Sequence, residues 1–201
     1  GSADGILLEH VTGVEIRIAI RTSFRGFDKA YTEQYSDVQI RHMLASDLEK
    51  LSKPFEELLD EHVEEYRSFY RRTSLRLWDD IPKISAETSH YDLRERLAAF
   101  HEGASDPEVY AILFAFGKYL LISSSRPGSQ AANLQGIWSN DIIPPWFSDF
   151  TVNINTEMNY WMTGPLNLAQ MQEPLVNLCK ALVKNGQTTA RELLNCEGTA
   201  C

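Results

Sequence analysis

Residues 106–123 constrain the fold more strongly than any other part of the sequence. Asp106 and Pro107 supply a helix start. Apolar side chains then recur at helical spacing, at Val109, Leu113, Phe116, Leu120 and Leu121. Since these side chains cover much of the helix circumference, we expect the helix to be buried on several sides. The segment therefore predicts a mainly α protein.

Helical patterns continue on both sides of this segment. Four further helices are predicted, at residues 37–51, 91–100, 168–183 and 187–194. Ser52 followed by Pro54 indicates an N-cap, and an amphipathic helix of about five turns is expected after it. Asn185 and Gly186 form a C-cap signal that separates the last two helices. Residues 79–89 are predicted to be a loop.

A different pattern occurs near the start of the chain. Residues 14–21 alternate between apolar and polar side chains, which predicts a half-buried β-strand. Residues 6–9 are predicted to pair with it, through a turn at Thr12 and Gly13. Because two strands alone are only marginally stable, we interpret them as the end of a β domain that lies upstream.

Composition and charge exclude several classes of partner. Hydrophobic residues make up 43% of the chain and charged residues 23%, as in ordinary globular proteins. The formal net charge of -9 argues against a nucleic-acid partner, which requires clustered Lys and Arg. No apolar run of about 18 residues predicts a membrane span, and no signal peptide is visible. The compartment is left open.

No metal site or cofactor is expected. Three cysteines occur in the chain, Cys179, Cys196 and Cys201, and their spacing matches no CxxC or Cys/His metal motif. Buried or free thiols are the prediction.

Residues 123–150 form an unusually long connection. They are rich in Gly, Pro, Asn and Ser, yet they include Trp138, Trp146, Phe147 and Phe150. Long irregular loops in compact domains are usually functional or disordered, and the aromatic content disfavours disorder. Flat apolar rings together with short polar groups suit a sugar-binding site.

Four sequence blocks in and beside this connection carry a family resemblance. They lie at residues 119–128, 132–138, 144–146 and 152–161. In this order, the blocks resemble the start of the catalytic barrel of glycoside hydrolase family 95, the α-L-fucosidase family. The resemblance implies a partial (α/α)6 barrel at residues 106–201. It also implies a helical linker at residues 37–105, preceded at residues 1–36 by a remnant of an upstream β-sandwich domain and its connection.

The resemblance further implies hydrolysis with inversion at the anomeric carbon. Inversion needs a carboxylic acid to protonate the leaving oxygen and a base to activate water. In this family the base is an aspartate assisted by two asparagines at i and i+2, and Asn153 and Asn155 match that pair. The alternative is that both asparagines merely cap the following turn. The general acid and the base are expected downstream, outside this chain.

Further residues are implied to contact the sugar. They are Thr151, Trp138, Trp146, Glu157 and Trp161. Fucosidases of this type often have histidine at the position of Thr151. A smaller side chain leaves room beside C6 of the sugar, so L-galactose is an alternative substrate.

The sequence therefore predicts part of an inverting exo-α-L-fucosidase that removes terminal, α-1,2-type fucose from oligosaccharides or glycans. Two alternatives stay open: an α-L-galactosidase of the same family, and a non-catalytic carbohydrate-binding helical module. The chain is expected to be inactive alone. Because an incomplete barrel leaves helix faces without partners, we also expect exposed apolar surface and self-association.

Overall fold

The computed structural model describes residues 5, 7–30, 32–77 and 91–200. The chain forms two compact units, Gly1–Glu64 and Glu65–Cys201. The described residues are mainly helical, as the sequence predicts. The loop predicted at residues 79–89 lies outside the described residues. The three-part division at residues 36 and 105 stays a prediction.

Helix α1, Asp37–Lys50, belongs to the first unit. Its N-terminus has a capping box, in which the Ser36 side chain accepts from the Gln39 backbone while the Gln39 side chain accepts from the Ser36 backbone. Arg21 ties the preceding extended segment to this helix through a two-point ion pair with Asp47. The predicted helix at residues 37–51 is confirmed.

The predicted strand at residues 14–21 is wrong. This segment is extended but belongs to no β-ladder among the described residues, and Ile16 and Ile20 are largely exposed. A strand needs a neighbour that accepts and donates backbone hydrogen bonds. Residues 13–18 instead line an open apolar groove together with Leu58 and Leu59. Ile6, in the predicted partner strand, lies outside the described residues.

The remaining helices follow in chain order. They are α2 Phe55–Tyr70, α3 Leu93–His101, α4 Glu108–Ser124, α5 Asn155–Tyr160 and α6 Glu173–Leu194. Short 3-10 helices occupy Trp161–Thr163 and Ala169–Gln172, and Pro145–Ser148 forms a turn with left-handed residues. The helices predicted after Pro54, at residues 91–100 and at residues 106–123 are confirmed. Within the described residues, no helix is both long and apolar enough to cross a membrane.

Helix α4 is less enclosed than its composition predicts. Leu121 and Ile122 are buried, but Leu113 is 67% exposed and Phe116 is also exposed. The expectation of burial on several sides is therefore wrong for one face of α4. That face is the exposed apolar surface expected from the sequence, and self-association through it stays a prediction.

A buried lysine joins α4 to the end of α2. Lys118 is 2% exposed, and its Nζ donates to the carbonyl oxygens of Tyr70, at 2.8 Å, and Thr73. The ammonium also lies 4.0 Å from the centre of the Tyr70 ring. Burial lowers the pKa of Lys118. The side chain thus satisfies the Tyr70 carbonyl, which the helix end leaves without an intrahelical donor, and the Thr73 carbonyl just beyond the helix.

The predicted break at Gly186 is also wrong, because α6 runs through it to Leu194. An ideal Cβ at Gly186 would lie 2.2 Å from Thr199 Oγ1 and 2.7 Å from the Ala200 carbonyl oxygen. The Ala200 amide donates to the Gly186 carbonyl at 3.0 Å. Glycine is therefore needed for close approach of the returning chain. The helix ends instead at Asn195, which is left-handed at φ 50°.

Two helical glycines provide a matched test of this interpretation. An added Cβ at Gly117 in α4 meets nothing within 4 Å. Gly117→Ala should therefore raise the free energy of unfolding by about 0.5–1 kcal/mol, through helix propensity. Gly186→Ala should lower it, because the segment at Thr199 and Ala200 must move away. Urea denaturation of both variants measures the difference. Equal stabilisation by the two substitutions would contradict the close approach at Gly186.

Candidate active site

The candidate site is built on the loop between α4 and α5. A chain of buried hydrogen bonds fixes this loop. The Ala132 amide donates to the Tyr160 hydroxyl at 2.8 Å, Tyr160 and Ser125 hydroxyls lie 2.7 Å apart, and Ser125 donates to the Met171 carbonyl at 2.9 Å. Ser125 and Met171 are fully buried, and Ala132 and Tyr160 nearly so.

The direction of the protons in this chain follows from the partners. Ser125 has one hydroxyl proton, which the Met171 carbonyl accepts. Tyr160 must therefore donate its own proton to Ser125, while its oxygen accepts from the Ala132 amide. Each donor and acceptor in the chain is used, which makes the arrangement stable in a buried setting. It joins the ends of α4 and α5, the loop between them and the 3-10 helix that precedes α6.

Arg126 anchors the beginning of the loop. Its guanidinium forms a two-point ion pair with Glu65, with Nη2 2.6 Å from Oε2, and lies 4.6 Å from the centre of the Phe69 ring. The sequence block that contains Arg126 thus has a structural role in holding the loop against α2.

A tight turn connects the middle of the loop to α5. Asn133 and Gly136 exchange backbone hydrogen bonds, and the Asn133 side chain accepts from the Gln135 amide at 2.9 Å. The Asn159 side chain donates to the Asn133 carbonyl at 2.9 Å. Since Asn159 lies on α5, the turn and the helix form one hydrogen-bonded assembly.

The next part of the loop, residues 144–149, is here called the aromatic turn. Trp146, Phe147 and Ser148 have φ of 55°, 53° and 52°, in the left-handed region that bulky side chains rarely adopt. Trp146 is 81% exposed and Phe147 is 76% exposed. The Leu134 amide donates to the Asp149 carbonyl at 3.2 Å, and Gln135 Nε2 donates to the Pro145 carbonyl at 3.0 Å. Both ends of the aromatic turn are therefore fixed.

Asn153 and Asn155 lie at the start of α5. Both side chains are exposed. The N-cap residue is Ile154, and no side chain caps the helix, so the alternative in which the asparagines act as caps is wrong. The Thr156 amide is satisfied instead by the Thr151 carbonyl at 3.3 Å. Both amides thus remain open to solvent, next to the left-handed Thr151 at φ 36°.

The other predicted site residues are also at the surface. Trp138, Trp161, Glu157 and Thr151 are exposed. In the described part of the chain, no ring contact joins Trp138, Trp146 and Trp161 to one another. The structure therefore brings these residues to one loop-helix segment without assembling them into a closed pocket. Nor do the described residues include a cluster of His, Cys, Asp and Glu suited to a metal ion.

The segment that holds the site matches a known family. Residues 54–201 match the Glycosyl hydrolase family 95 catalytic domain. The chain belongs to glycoside hydrolase family 95. The family match begins just before α2 and includes every predicted site residue.

Curated relatives agree with the family 95 assignment. Alpha-L-fucosidase 2 of Arabidopsis thaliana is 42% identical over 137 residues, covering 68% of this chain and 16% of that protein. Probable alpha-fucosidase A of Aspergillus niger is 37% identical over 143 residues, covering 71% of this chain and 17% of that protein. Probable alpha-fucosidase A of Aspergillus oryzae is 31% identical over 129 residues, covering 63% of this chain and 17% of that protein. The chain spans about a sixth of the length of these relatives.

Some residues that organise this family 95 segment were not predicted from sequence. Ser125, Gln135 and Asn159 lie inside or next to the blocks that carry the family resemblance, but nothing in their spacing reveals their partners. Tyr160 is buried, and its hydroxyl links the loop to Ser125. Partners such as the Met171 carbonyl are main-chain atoms, which no residue pattern identifies.

Removal of one hydroxyl tests the buried hydrogen-bond chain. Tyr160→Phe should lower the free energy of unfolding by about 1–3 kcal/mol, because it leaves the buried Ala132 amide without an acceptor. Tyr119→Phe is the matched control, since the Tyr119 side chain is 41% exposed and its hydroxyl bonds to no other described residue. Urea denaturation measures both variants. Similar losses in the two would show that the Tyr160 hydroxyl has no special role.

Proposed function

We propose that this chain forms part of an inverting exo-α-L-fucosidase that hydrolyses terminal α-1,2-linked fucose from oligosaccharides or glycans. Family membership and relatives named as alpha-fucosidases support a glycoside hydrolase. The observation that carries the proposal is the exposed pair Asn153 and Asn155, which caps no helix and is held beside a rigid loop.

The asparagines suit a water-positioning role. An amide oxygen can accept a hydrogen bond from the attacking water, and an amide NH2 can donate to the carboxylate that acts as base. Neither amide can itself remove a proton. Because inversion needs the water and the base on one face of the sugar, two amides at i and i+2 can set the geometry of both.

The proton-transferring groups are proposed to lie outside this chain. Glu157 is exposed on the first turn of α5, and Asp149 ends the aromatic turn. We assign Glu157 a role in orienting the ligand rather than in proton transfer. The exposed rings of Trp138, Trp146 and Trp161 provide apolar faces for the C–H surfaces of sugars. On this proposal, the chain alone does not turn over a fucoside.

Substitution of the asparagines tests the mechanism in the full-length protein that contains this chain. Asn153→Ala and Asn155→Ala should each lower kcat by about 100-fold or more, with a much smaller change in KM, because they act on water in the transition state. Asn140→Ala is the control, since Asn140 is an exposed loop residue with no side-chain bond in the described structure.

Kinetics on an α-1,2-fucosylated oligosaccharide measure these effects, and NMR of the first-formed fucose anomer tests inversion. Unchanged kcat in both variants, or retention of configuration, would contradict the mechanism.

Thr151 supports one alternative substrate, an α-L-galactoside. Its side chain is small and exposed beside the asparagine pair, which leaves room for the C6 hydroxyl that distinguishes L-galactose from fucose. If Thr151 sets this preference, Thr151→His should raise the ratio of kcat/KM for a fucoside over the matched L-galactoside by about tenfold, the scale expected for one small group in a pocket. An unchanged ratio would show that Thr151 does not set the preference between fucoside and L-galactoside.

A further inference from the structure

The aromatic turn presents two large rings to solvent within the described part of the chain. Trp146 and Phe147 are adjacent in sequence, and each is more than three-quarters exposed. Exposed apolar groups of this size usually mark a binding surface. The turn ends at Asp149, four residues before Asn153, so the two Cα atoms are at most about 15 Å apart. An oligosaccharide held at the asparagines can therefore reach the turn.

Backbone strain indicates that surrounding contacts hold the aromatic turn in its conformation. Three consecutive residues without a glycine adopt positive φ. Such a conformation persists only where the surroundings fix it, and it is typical of ligand-binding segments. The fixing contacts are the Leu134 amide to the Asp149 carbonyl and Gln135 Nε2 to the Pro145 carbonyl. Of these two donors, only the Gln135 amide belongs to a side chain.

The orientation of the Gln135 amide follows from its partner. Its Nε2 donates to the Pro145 carbonyl, and exchange of the amide oxygen and nitrogen would place two acceptors against each other. The Gln135 Oε1 atom is buried and has no hydrogen-bond partner within the described structure. The side chain thus makes one directed bond, which runs from the turn held by Asn159 of α5 to the aromatic turn.

We propose that Gln135 is a positioning residue for substrate specificity. It holds the aromatic turn so that Trp146 and Phe147 form a platform for the sugar ring next to the terminal fucose. A pyranose suits this platform because its C–H face packs on an aromatic ring. The charged side chain of residues 144–149 is the carboxylate of Asp149. This inference rests on the proposed function, since the platform would bind the leaving-group sugar in the same active site.

Two substrates separate the platform from the chemistry in the full-length protein. An α-1,2-fucosylated trisaccharide has sugar rings beyond the fucose, whereas α-L-fucosyl fluoride has none. Gln135→Ala and Phe147→Ala should each raise KM for the trisaccharide about tenfold with kcat nearly unchanged. Kinetics on the fluoride should not change. Gln130→Ala is the control, because Gln130 is an exposed residue of the same loop.

A second variant tests the directed hydrogen bond. In Gln135→Glu, an ionised carboxylate cannot donate to the Pro145 carbonyl, but a protonated carboxyl group can. The KM for the trisaccharide, relative to that for the fluoride at the same pH, should therefore fall towards the unaltered value as the pH drops below about 5. A role limited to general folding would not give this recovery.

The outcomes are distinct. Equal effects on both substrates, or no effect of Gln135→Ala on either, would overturn the platform. If the unaltered protein hydrolyses neither substrate, the proposed function fails. Calorimetric titration with the trisaccharide then decides the inference: weaker binding by Gln135→Ala than by Gln130→Ala supports the platform, and equal binding overturns it.

Discussion

The buried hydrogen-bond chain from the Ala132 amide through Tyr160 and Ser125 to the Met171 carbonyl is the constraint on which the candidate site depends. Ordering a loop of this length costs conformational entropy, and the buried hydrogen bonds offset part of that cost. The chain fixes the loop at its root, and the Asn159 contact to Asn133 fixes it again one step further along. The segments that carry the exposed asparagines and aromatic rings are thereby held on a hydrogen-bonded scaffold.

Local sequence patterns predicted the helices well and the long-range contacts poorly. Signals such as Pro54 at a helix start and the apolar spacing of residues 106–123 act within a few residues, and the corresponding helices are present. The N-cap predicted at Ser52 is not observed, because the helix begins at Phe55. Residues 14–21 have a strand pattern, but a strand also requires a neighbour, which the described structure does not provide. Gly186 has a C-cap signature, yet it is needed for the close approach of Thr199 and Ala200, which lie 13 and 14 positions later in the chain.

The candidate site shows the same division. The family blocks identified Asn153, Asn155 and the tryptophans by residue type, and the structure places them on one loop and one short helix. Their support was not predictable, because the supporting atoms are often main-chain carbonyls and amides. Gln135 illustrates the limit: its sequence position is unremarkable, and its directed bond to Pro145 is visible only in three dimensions.

The partners of Lys118 carry a consequence for how this segment tolerates change. Its ammonium is held by the carbonyl oxygens of Tyr70 and Thr73, atoms that every amino acid supplies. Position 73 can therefore vary without loss of this contact, whereas position 118 needs a long side chain with a donor at its tip. Among divergent sequences, we expect the carbonyl contacts to restrict position 118. Positions 70 and 73 are restricted by different contacts, the Tyr70 ring beside the ammonium and the Thr73 hydroxyl bond to the Leu166 carbonyl.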